Sequence, residues 1–459
     1  MENIVKELCS LLKGTKTYIV GGFLRNNYLG IKNCNDIDLV TFSSKIKLEE
    51  IISKNFGVTP INIGPLTKFH IKEKNLFIDI TESSYNNIYE DLKYRDFTCN
   101  TLALKVDHYP NFNNLIDINN SREDIKKKLI IPVSNKSLTL DPVRILRVYY
   151  IKGKYNFHIP LNTIMEIRKN APLLVSAKGE RLKDELKKIL KLDNSNQLLF
   201  LMYLHGVLQI LIPPVEKMAN IKQNHYHRKN LLIHSFKTLE IFEQNLKNII
   251  YFSPFYNNIK NYVNEHLVIL KLACFLHDIG KIDTFKVAPS GKITFYKHEL
   301  EAEKYIINLA NTLKLSSTEK SGLETIIKEH MKPLYLYLNK NITKSNKYKF
   351  FNSNKEHSLG FLLLSLCDYL ATRSGGDGYG IEIESYQKYI LNLIEDYYTK
   401  RDELVEVHSL LTGDEIQAIL NIPPSRQIGI IKDQLIKGQI LGKIKNKEEA
   451  IKYIINKFS

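Results

Sequence analysis

The chain has 459 residues, of which 44% are hydrophobic and 25% are charged, and its formal net charge is +16. This length exceeds what one hydrophobic core usually supports, so two to four domains are expected. An uninterrupted apolar run of about 18 residues, which a transmembrane helix needs, does not occur in the sequence. The five cysteines form no CxxC pair, which favours a reducing, cytoplasmic environment and disfavours disulfides or cysteine-bound zinc. They are Cys9, Cys34, Cys99, Cys274 and Cys367.

The positive charge indicates a polyanionic partner, because lysine and arginine outnumber the acidic residues. The basic residues are dispersed, however, so lysines on solvated helix faces would give the same total. Charge alone therefore leaves nucleic-acid binding and an ordinary basic surface both open.

The first part of the chain predicts strands and helices in alternation. The N-terminal segment carries acidic residues and predicts an amphipathic helix, not a signal peptide. Residues 15–106 then alternate short β-branched or aromatic runs, such as TYIV, DIDLVTF and FIDIT, with helical ones. This alternation predicts a small head that combines strands with helices.

From about residue 120 onward the apolar spacing becomes helical and remains so. Runs such as DPVRILRVYYI and LVILKLACFL are typical of it, and we expect a long all-α body. Proline and glycine clusters mark the expected boundaries between its parts. These clusters lie at residues 131–138, 211–215, 373–380 and 421–425.

A double glycine and two aspartates form the first constellation that carries chemistry. Strand TYIV runs into Gly21 and Gly22, and the following helix carries Arg25. Glycines there let backbone N–H groups approach a phosphate. Asp36 and Asp38 follow on a strand, whose two-residue period places both carboxylates on one face. A solvated strand edge could carry the same acids, but with the upstream glycines the pattern favours a divalent-metal site for nucleotidyl transfer.

The segment EDLKYRDFTCNTLAL places Arg95, Asp96 and Asn100 within about one and a half helical turns. A basic residue and an amide at this spacing could hold a triphosphate and a ribose hydroxyl. A purely structural Arg–Asp pair explains the segment equally well.

The segment DPVRILRVYYI carries Asp141, Arg144 and Arg147 at positions i, i+3 and i+6 of an expected helix. They would occupy neighbouring positions on one face, and an Asp acceptor beside an Arg could recognise the edge of a nucleobase. An N-capping aspartate followed by proline and surface arginines is the ordinary alternative.

The order of these blocks resembles a known family. GGFLR, DID, EDLKYRDFTCNTLA, DPVRILR and ERLKDEL are similar, in order and spacing, to motifs of the class II tRNA nucleotidyltransferases and bacterial poly(A) polymerases. The resemblance covers about residues 15–225. It implies an α+β head of the DNA polymerase beta superfamily, followed by all-α neck, body and tail helices that clamp the acceptor end of tRNA.

The resemblance implies that Asp36 and Asp38 are catalytic and hold Mg²⁺, and that Asp141 and Arg144 select CTP or ATP by pairing with the base. The residues it assigns to nucleotide binding are Gly21, Gly22, Arg25, Arg95, Asp96, Asn100, Asp141, Arg144, Arg147, Glu180 and Arg181.

Three features depart from the family pattern. Asn26 stands where the family usually has Asp, and Leu140 replaces a usual Glu. The segment Glu82–Tyr89 is also shorter than the loop found in members that switch from CTP to ATP. A short loop resembles the members that add only CC and leave the final A to a separate enzyme.

A second constellation lies in the helical half, where LHDIGK places His and Asp side by side. The order H…HD…H…H…D resembles the HD phosphohydrolase superfamily, although single histidines are more often packing or surface residues. The implied ligands can bind Mn, Ni, Fe or Mg ions, which activate water against phosphoesters. They are His234, His277, Asp278, His298, His330 and Asp368.

These features together predict a tRNA nucleotidyltransferase that adds CCA, or CC alone, from CTP and ATP without a nucleic-acid template. An appended HD domain would act as a phosphatase or phosphodiesterase. The alternatives are a poly(A) polymerase acting on RNA 3′ ends and an HD nucleotide phosphohydrolase with an RNA-binding head. The expected domains are a head over 1–130, a neck and body over 131–225, the HD domain over 226–375 and a tRNA-binding tail over 376–459.

Overall fold

The computed structural model describes residues 2–31, 35–223, 230–251, 253–340, 342–352, 355–373 and 382–458. Cys34 and most of the expected boundary at 373–380 lie outside these ranges. The chain divides into two compact units. The first comprises Met1–Leu192 with Leu201–Leu211, and the second comprises Asp193–Phe200 with Ile212–Ser459. None of the helices in the described ranges has the length and apolar character that crossing a bilayer requires.

A six-stranded mixed sheet organises the first unit, with the strand order β3-β4-β5-β2-β1-β6. Strands β2 and β5 run parallel, and the other neighbouring pairs run antiparallel. The strands are β1 (Thr17–Val20), β2 (Asp36–Thr41), β3 (Ile61–Ile63), β4 (Leu66–Ile71), β5 (Leu76–Glu82) and β6 (Ala103–Lys105).

Alternating side chains divide this sheet into a buried face and an open face. In β4 and β5, Phe69, Ile78 and Ile80 are buried in the core, while the residues between them are partly or fully exposed. This is the period of two that a half-buried strand requires. The polar face of β2 and β5 is therefore left open for a ligand.

The helices of the first unit precede, connect and follow the strands. They are α1 (Glu2–Leu11), α2 (Gly22–Tyr28), α3 (Lys45–Phe56), α4 (Ile88–Lys93), α5 (Ser121–Lys126), α6 (Ser137–Leu140), α7 (Arg144–Tyr155), α8 (Leu161–Asn170), α9 (Gly179–Leu190) and α11 (Leu208–Leu211). Helix α10 (Ser195–Leu204) has residues in both units.

The second unit is built on four helices that pack together: α13 (Leu231–Gln244), α15 (Tyr256–Leu276), α19 (Ser317–Glu329) and α22 (Ser358–Arg373). Helix α22 is buried along nearly its whole length, as expected for a helix that is hydrophobic on all sides. Its Asp368 is consequently a buried carboxylate surrounded by other helices.

The remaining helices of the second unit surround this group or follow it. They are α12 (Val215–Asn220), α14 (Leu246–Ile250), α16 (Lys281–Thr284), α17 (His298–Glu301), α18 (Glu303–Leu313), α20 (Lys332–Leu338), α21 (Lys344–Asn352), α23 (Ile383–Thr399), α24 (Arg401–Leu404), α25 (Gly413–Leu420), α26 (Arg426–Ile440) and α27 (Lys447–Phe458). The last three pack around their own apolar cluster, which includes Ile416, Ile431, Leu435 and Ile454.

The expected α+β head followed by a helical body is confirmed, and the structure adds that the sheet of the head is mixed. One detail of the all-α expectation is wrong, because β7 (Lys286–Val287) and β8 (Ile293–Thr294) form a short antiparallel hairpin. The connecting segment contains Pro289 and Gly291, and Gly291 adopts a φ of +78°. A turn of this kind returns the chain without a helix. The four expected domain boundaries stay predictions.

Candidate functional sites

Three carboxylates meet on the open face of the sheet in the first unit. Oxygens of Asp36 and Asp38 on β2 and Asp79 on β5 lie within 4.8 Å of one another. The parallel register places Asp38 beside Asp79, and the ammonium group of Lys68 lies 2.9 Å from Asp79. The two aspartates singled out from the sequence are thus joined by a third, which the sequence reasoning missed. The alternation of FIDIT places Asp79 on the open face of β5, which is the signal that the sequence contains. It does not show that β5 pairs with β2, because that pairing joins distant segments of the chain.

The electrostatics of this cluster favour a bound cation. Burial, followed by the charge of Asp79, raises the pKa of Asp36. Burial and the neighbouring Asp36 raise the pKa of Asp38 to about 6. Carboxylates that repel one another in a partly buried site are stabilised in their charged form by a divalent cation with oxygen ligands. The donor set therefore fits Mg²⁺.

The double glycine lies directly against this cluster. Gly21 has a φ of +69°, and a Cβ atom there would lie 3.2 Å from Oδ2 of Asp38. Glycine thus supplies both the backbone conformation and the close approach of the turn to the acids. Gly22 begins α2, which also carries Arg25.

Arg25 is buried and has several partners. Its guanidinium donates to Oδ1 of Asn26 at 3.1 Å and to Oδ1 of Asn100, and it lies 4.0 Å from the ring centroid of Tyr155. Asn26, which departs from the family pattern, therefore accepts a hydrogen bond where a carboxylate would form an ion pair. The contact with Asn100 links the GGFLR segment to the EDLKYRDFTCNTLAL segment.

The segment EDLKYRDFTCNTLAL forms a hydrogen-bond network with α7. Asp96 accepts from Nδ2 of Asn100 at 3.1 Å and from Arg147 at 3.3 Å. Burial alone would raise the pKa of Asp96, but Arg147 and Asn100 lower it below its ordinary value. Nε of Arg95 donates to Asp91 at 3.0 Å. These contacts hold two arginines, Arg95 and Arg147, along one wall of a cavity.

Asp141 and Arg144 are adjacent, although they do not share a helix as expected. Helix α7 begins at Arg144, and Asp141 precedes it in an extended conformation, because Pro142 and Val143 form a turn. Asp141 accepts from Arg181 at 2.7 Å. Arg144 donates to the carbonyls of Tyr94 at 2.8 Å and Arg95 at 3.1 Å.

Two atoms of this pair have no hydrogen-bond partner among the described residues. They are Oδ1 of Asp141 and Nε of Arg144, an acceptor and a donor. The nearest approach between the two side chains is 3.7 Å, from Arg144 Nε to Asp141 Oδ2. Buried polar atoms are rarely left unpaired, so these two are candidates for contacts with a ligand.

A cavity of 740 Å³ connects the carboxylate cluster with the arginines. Asp141, Glu180 and Arg181 do not line it, and Glu180 is exposed in the first turn of α9. Glu185 lines it instead and accepts from Arg147 at 3.2 Å. The other predicted residues on its wall are Gly21, Gly22, Arg25, Asp36, Asp38, Arg95, Asp96, Asn100, Arg144 and Arg147.

The second unit gathers all six residues of the predicted HD site. His234, His277, Asp278 and Asp368 form one group, and Asp278, His298 and His330 form another, each with its ligand atoms within 4.8 Å. Asp278 belongs to both groups. Its Oδ2 lies 3.2 Å from His277, and its Oδ1 lies 3.0 Å from His298. One carboxylate therefore faces two candidate metal positions.

The histidine tautomers support metal binding at this cluster. Nδ1 of His277, His298 and His330 lies 3.0, 3.0 and 2.6 Å, respectively, from a backbone carbonyl. A carbonyl can only accept, so each Nδ1 carries the proton. The three Nε2 atoms are buried, and those of His277 and His298 lie 3.2 and 3.0 Å from carboxylate oxygens of Asp278. Once its Nε2 is deprotonated, an imidazole oriented in this way is suited to be a metal ligand held by a backbone acceptor.

The charges of the HD cluster are strongly coupled. Burial would lower the pKa of His277, but Asp278 and Asp368 raise it to about 10. Burial, His277 and His298 lower the pKa of His330 to about 3. Burial would raise the pKa of Asp278, yet His277 and Lys281 hold it well below its ordinary value. Without a metal, the imidazole of His277 is therefore positively charged and interacts with the carboxylates of both Asp278 and Asp368.

Comparison with known proteins gives two matching domain families in the first half of the chain. Residues 17–131 match the poly(A) polymerase head domain, and residues 156–218 match the probable RNA- and SrmB-binding site of polymerase A. The chain is 22% identical over 374 residues to an A-adding tRNA nucleotidyltransferase of Deinococcus radiodurans, covering 80% of this chain and 79% of that relative.

Two further matches extend over nearly the whole chain. A CC-adding tRNA nucleotidyltransferase of Geobacter sulfurreducens is 23% identical over 450 residues, which are 97% of this chain and 92% of the relative. The solved structure of the Thermotoga maritima CCA-adding enzyme complexed with tRNA has a TM-score of 0.59 at 20% identity. That match covers 100% of this chain and 95% of the other.

Proposed function

Because this chain belongs to the class II family of CCA-adding enzymes and poly(A) polymerases, we propose that it transfers nucleotides from CTP and ATP to the 3′ end of tRNA. The observation that carries the proposal is the cluster of Asp36, Asp38 and Asp79 at the edge of the arginine-lined cavity. Carboxylates at one end and guanidinium groups along the wall suit a metal-bound triphosphate.

The residues of the head have distinct roles in this reaction. Asp36 and Asp38, with Asp79 beside them, hold Mg²⁺, which when bound lowers the pKa of the attacking hydroxyl and neutralises charge on the phosphates. Gly21 and Gly22 let the backbone approach the phosphates, and Arg95 and the other arginines of the cavity wall neutralise them. The transfer itself is then governed by positioning and electrostatic stabilisation.

Base selection belongs to Asp141 and Arg144. Oδ1 of Asp141 and Nε of Arg144, an acceptor and a donor without a hydrogen-bond partner among the described residues, are the types of group that pair with a nucleobase, and Arg144 lines the cavity. Arg181 holds Asp141, and the carbonyls of Tyr94 and Arg95 hold Arg144. These contacts support a base-reading function for protein side chains in place of a nucleic-acid template.

The connection between β5 and α4 bears on how many nucleotides are added. It consists of residues 83–87, and α4 begins directly after Asn87, whose side chain accepts from Glu90 N at 3.0 Å. A connection this short supports addition of CC alone, with the final A left to a separate enzyme. The relatives include both CC-adding and A-adding proteins.

The direct test uses tRNA transcripts that end in the discriminator base, in C or in CC, with CTP or ATP supplied separately. Addition of C to the first two and of A to the third indicates CCA addition. Addition of C alone indicates a CC-adding enzyme, and addition of A to CC alone indicates an A-adding one. Long A tails on unrelated RNA would instead favour the poly(A) polymerase alternative and contradict the tRNA assignment.

A second activity is supported by the HD cluster, where three buried Nε2 atoms converge on Asp278. We propose that His234, His277, Asp278, His298, His330 and Asp368 hold one or two divalent ions, with Mn, Ni, Fe or Mg as candidates. Such ions supply an activated water for the hydrolysis of phosphoesters. The expected activity is that of a phosphatase or phosphodiesterase.

This second proposal predicts metal-dependent stabilisation of the protein. Mn²⁺ or Ni²⁺ should raise the melting temperature of the wild type and support hydrolysis of p-nitrophenyl phosphate or its bis ester. His277→Ala should lose both effects, because it removes one ligand nitrogen. His266→Ala is the matched control, since His266 packs against Tyr262 in the same unit and lies outside the cluster. Equal stabilisation of the wild type and His277→Ala would contradict the site.

A further inference from the structure

An aromatic pair lies on the open sheet face, immediately beside the catalytic carboxylates. Phe77 on β5 is paired in register with Asp36 on β2, and on its other side with His70 on β4. Neighbouring strands in a sheet are about 4.8 Å apart, so Phe77 lies one strand away from Asp36. The rings of His70 and Phe77 stack with centroids 4.1 Å apart and an interplanar angle of 6°.

The pair is accessible and is not part of the hydrophobic core. Phe77 is 42% exposed, and its neighbours Leu76 and Ile78 are buried. The pleat therefore places Phe77 on the same face as Asp36 and Asp79. An exposed, flat aromatic surface on a sheet is the kind of platform on which unpaired nucleobases stack.

Lysines and tyrosines complete a second cavity around this platform. It has a volume of 730 Å³ and is lined by residues of the sheet, by the start of α2 and by Tyr150, Lys154 and Tyr155 of α7. Lys68 lies on the sheet side, and Nζ of Lys154 donates to the hydroxyl of Tyr150 at 2.8 Å. Ammonium groups beside aromatic rings are suited to the phosphates and bases of a single strand.

The two cavities of the head meet at the carboxylates but differ in their walls. Both include Asp36, Asp38 and Asp79. Arg95, Arg144 and Arg147 line only the first, whereas His70 and Phe77 line only the second. In phosphoryl and nucleotidyl transfer the attacking and leaving oxygens are roughly in line. A triphosphate among the arginines consequently leaves the other side of the carboxylates for the attacking strand.

From this geometry we infer that the His70–Phe77 platform binds the terminal base of the RNA acceptor strand by stacking. Lys154 lines only this second cavity and lies where it can neutralise an adjoining phosphate, and the terminal 3′-hydroxyl is directed to the carboxylates. The inference rests on the proposed nucleotidyl transfer and assigns a separate subsite to its second substrate. Stacking tolerates any base, so this subsite would accept successive 3′ ends as the strand grows.

Steady-state kinetics on the full-length protein can separate the two substrates. Phe77→Leu removes the ring and keeps apolar bulk, and it should raise KM for a tRNA acceptor about 5- to 150-fold, the range expected for one lost base stack. The KM for CTP should change less than about twofold. Phe77→Trp keeps a stacking ring and should remain near the wild type. Ile63→Ala, on the exposed edge strand β3 and outside the cavity, is the control and should leave both constants unchanged.

A fluorescence measurement tests the contact without turnover. A tRNA minihelix with a 3′-terminal 2-aminopurine should be quenched on binding to the wild type and to Phe77→Trp, and less so by Phe77→Leu and His70→Leu. Wild-type incorporation of CTP tests the proposed function separately, so the two failures can be told apart. If the wild type incorporates CTP while Phe77→Leu retains the wild-type KM for RNA and full quenching, the platform is overturned.

Discussion

At the scale of single residues, the head is shaped by the cost of placing like charges together. Asp36 and Asp38 alternate onto one face because β2 is a strand, and the parallel register adds Asp79. The raised pKa of Asp38 follows from burial and from Asp36. The carboxylates proposed to bind the metal are therefore a source of instability in the protein without it, as is common at functional sites.

Asp38→Asn tests this charge cost by its pH dependence. A carboxyl whose pKa is raised on folding, here to about 6, stabilises the fold only while it is protonated. That contribution is present below the ordinary pKa and is lost as the pH rises through 6. Without divalent cations, the neutral amide should therefore add about 1 to 3 kcal/mol to the free energy of unfolding at pH 7.5 and about half as much at pH 5.

Denaturant unfolding at the two pH values measures this difference. Saturating Mg²⁺ should abolish the advantage of Asp38→Asn at pH 7.5, because the cation stabilises the wild type. The same gain at both pH values would show that the carboxyl titrates at its ordinary pKa and would contradict the charge argument.

At the scale of elements, the sequence predicted the local features and missed those that depend on pairing between distant segments. The Gly21–Gly22 turn follows from the two glycines at the end of the strand TYIV. The positions of Asp36 and Asp38 on one face follow from the two-residue strand period. Asp79 could not be predicted as a member of the carboxylate cluster, because no local sequence pattern shows that β5 pairs with β2. Asp141 was placed on a helix by its spacing, but its turn with Pro142 and Val143 ends before α7 begins at Arg144.

The HD site shows the opposite case, in which a motif pointed to residues that the fold brings together. His234 and Asp368 are 134 positions apart, and their side chains meet at 2.8 Å. Helical periodicity does not predict how far apart these two side chains lie in the fold. The prediction that they belong to one site came from the order of the motif alone. The hairpin of β7 and β8 was missed because its strands are only two residues long.

The turn between β1 and α2 gives an element-scale prediction. Gly21→Ala should destabilise the protein by about 1 to 3 kcal/mol, because a positive φ strains an alanine. It should also lower kcat for CTP incorporation, since the new Cβ would crowd Asp38. Gly30→Ala is the matched control: Gly30 has a φ of +72° and nothing within 4 Å of a Cβ. Its melting temperature should fall while kcat stays near the wild type. Equal losses of kcat in both variants would contradict a specific role for the turn.

At the scale of the whole molecule, one chain carries two candidate metal sites of different chemistry. The first unit has an all-carboxylate cluster, which suits Mg²⁺ and phosphate transfer. The second has a buried cluster of histidines and aspartates, which suits transition metals. The family relationship rests on the matches over residues 17–131 and 156–218 and on relatives that extend over nearly the whole chain. The proposed HD site rests on the convergence of its own side chains.

Incorporation of labelled CTP into a tRNA transcript by Asp36→Ala, with His277→Ala measured in parallel, separates the two proposed activities. Asp36→Ala should lose incorporation and retain metal-dependent phosphoester hydrolysis, and His277→Ala should show the reverse. Incorporation by Asp36→Ala at the wild-type rate would contradict the assignment of transfer to the carboxylate cluster.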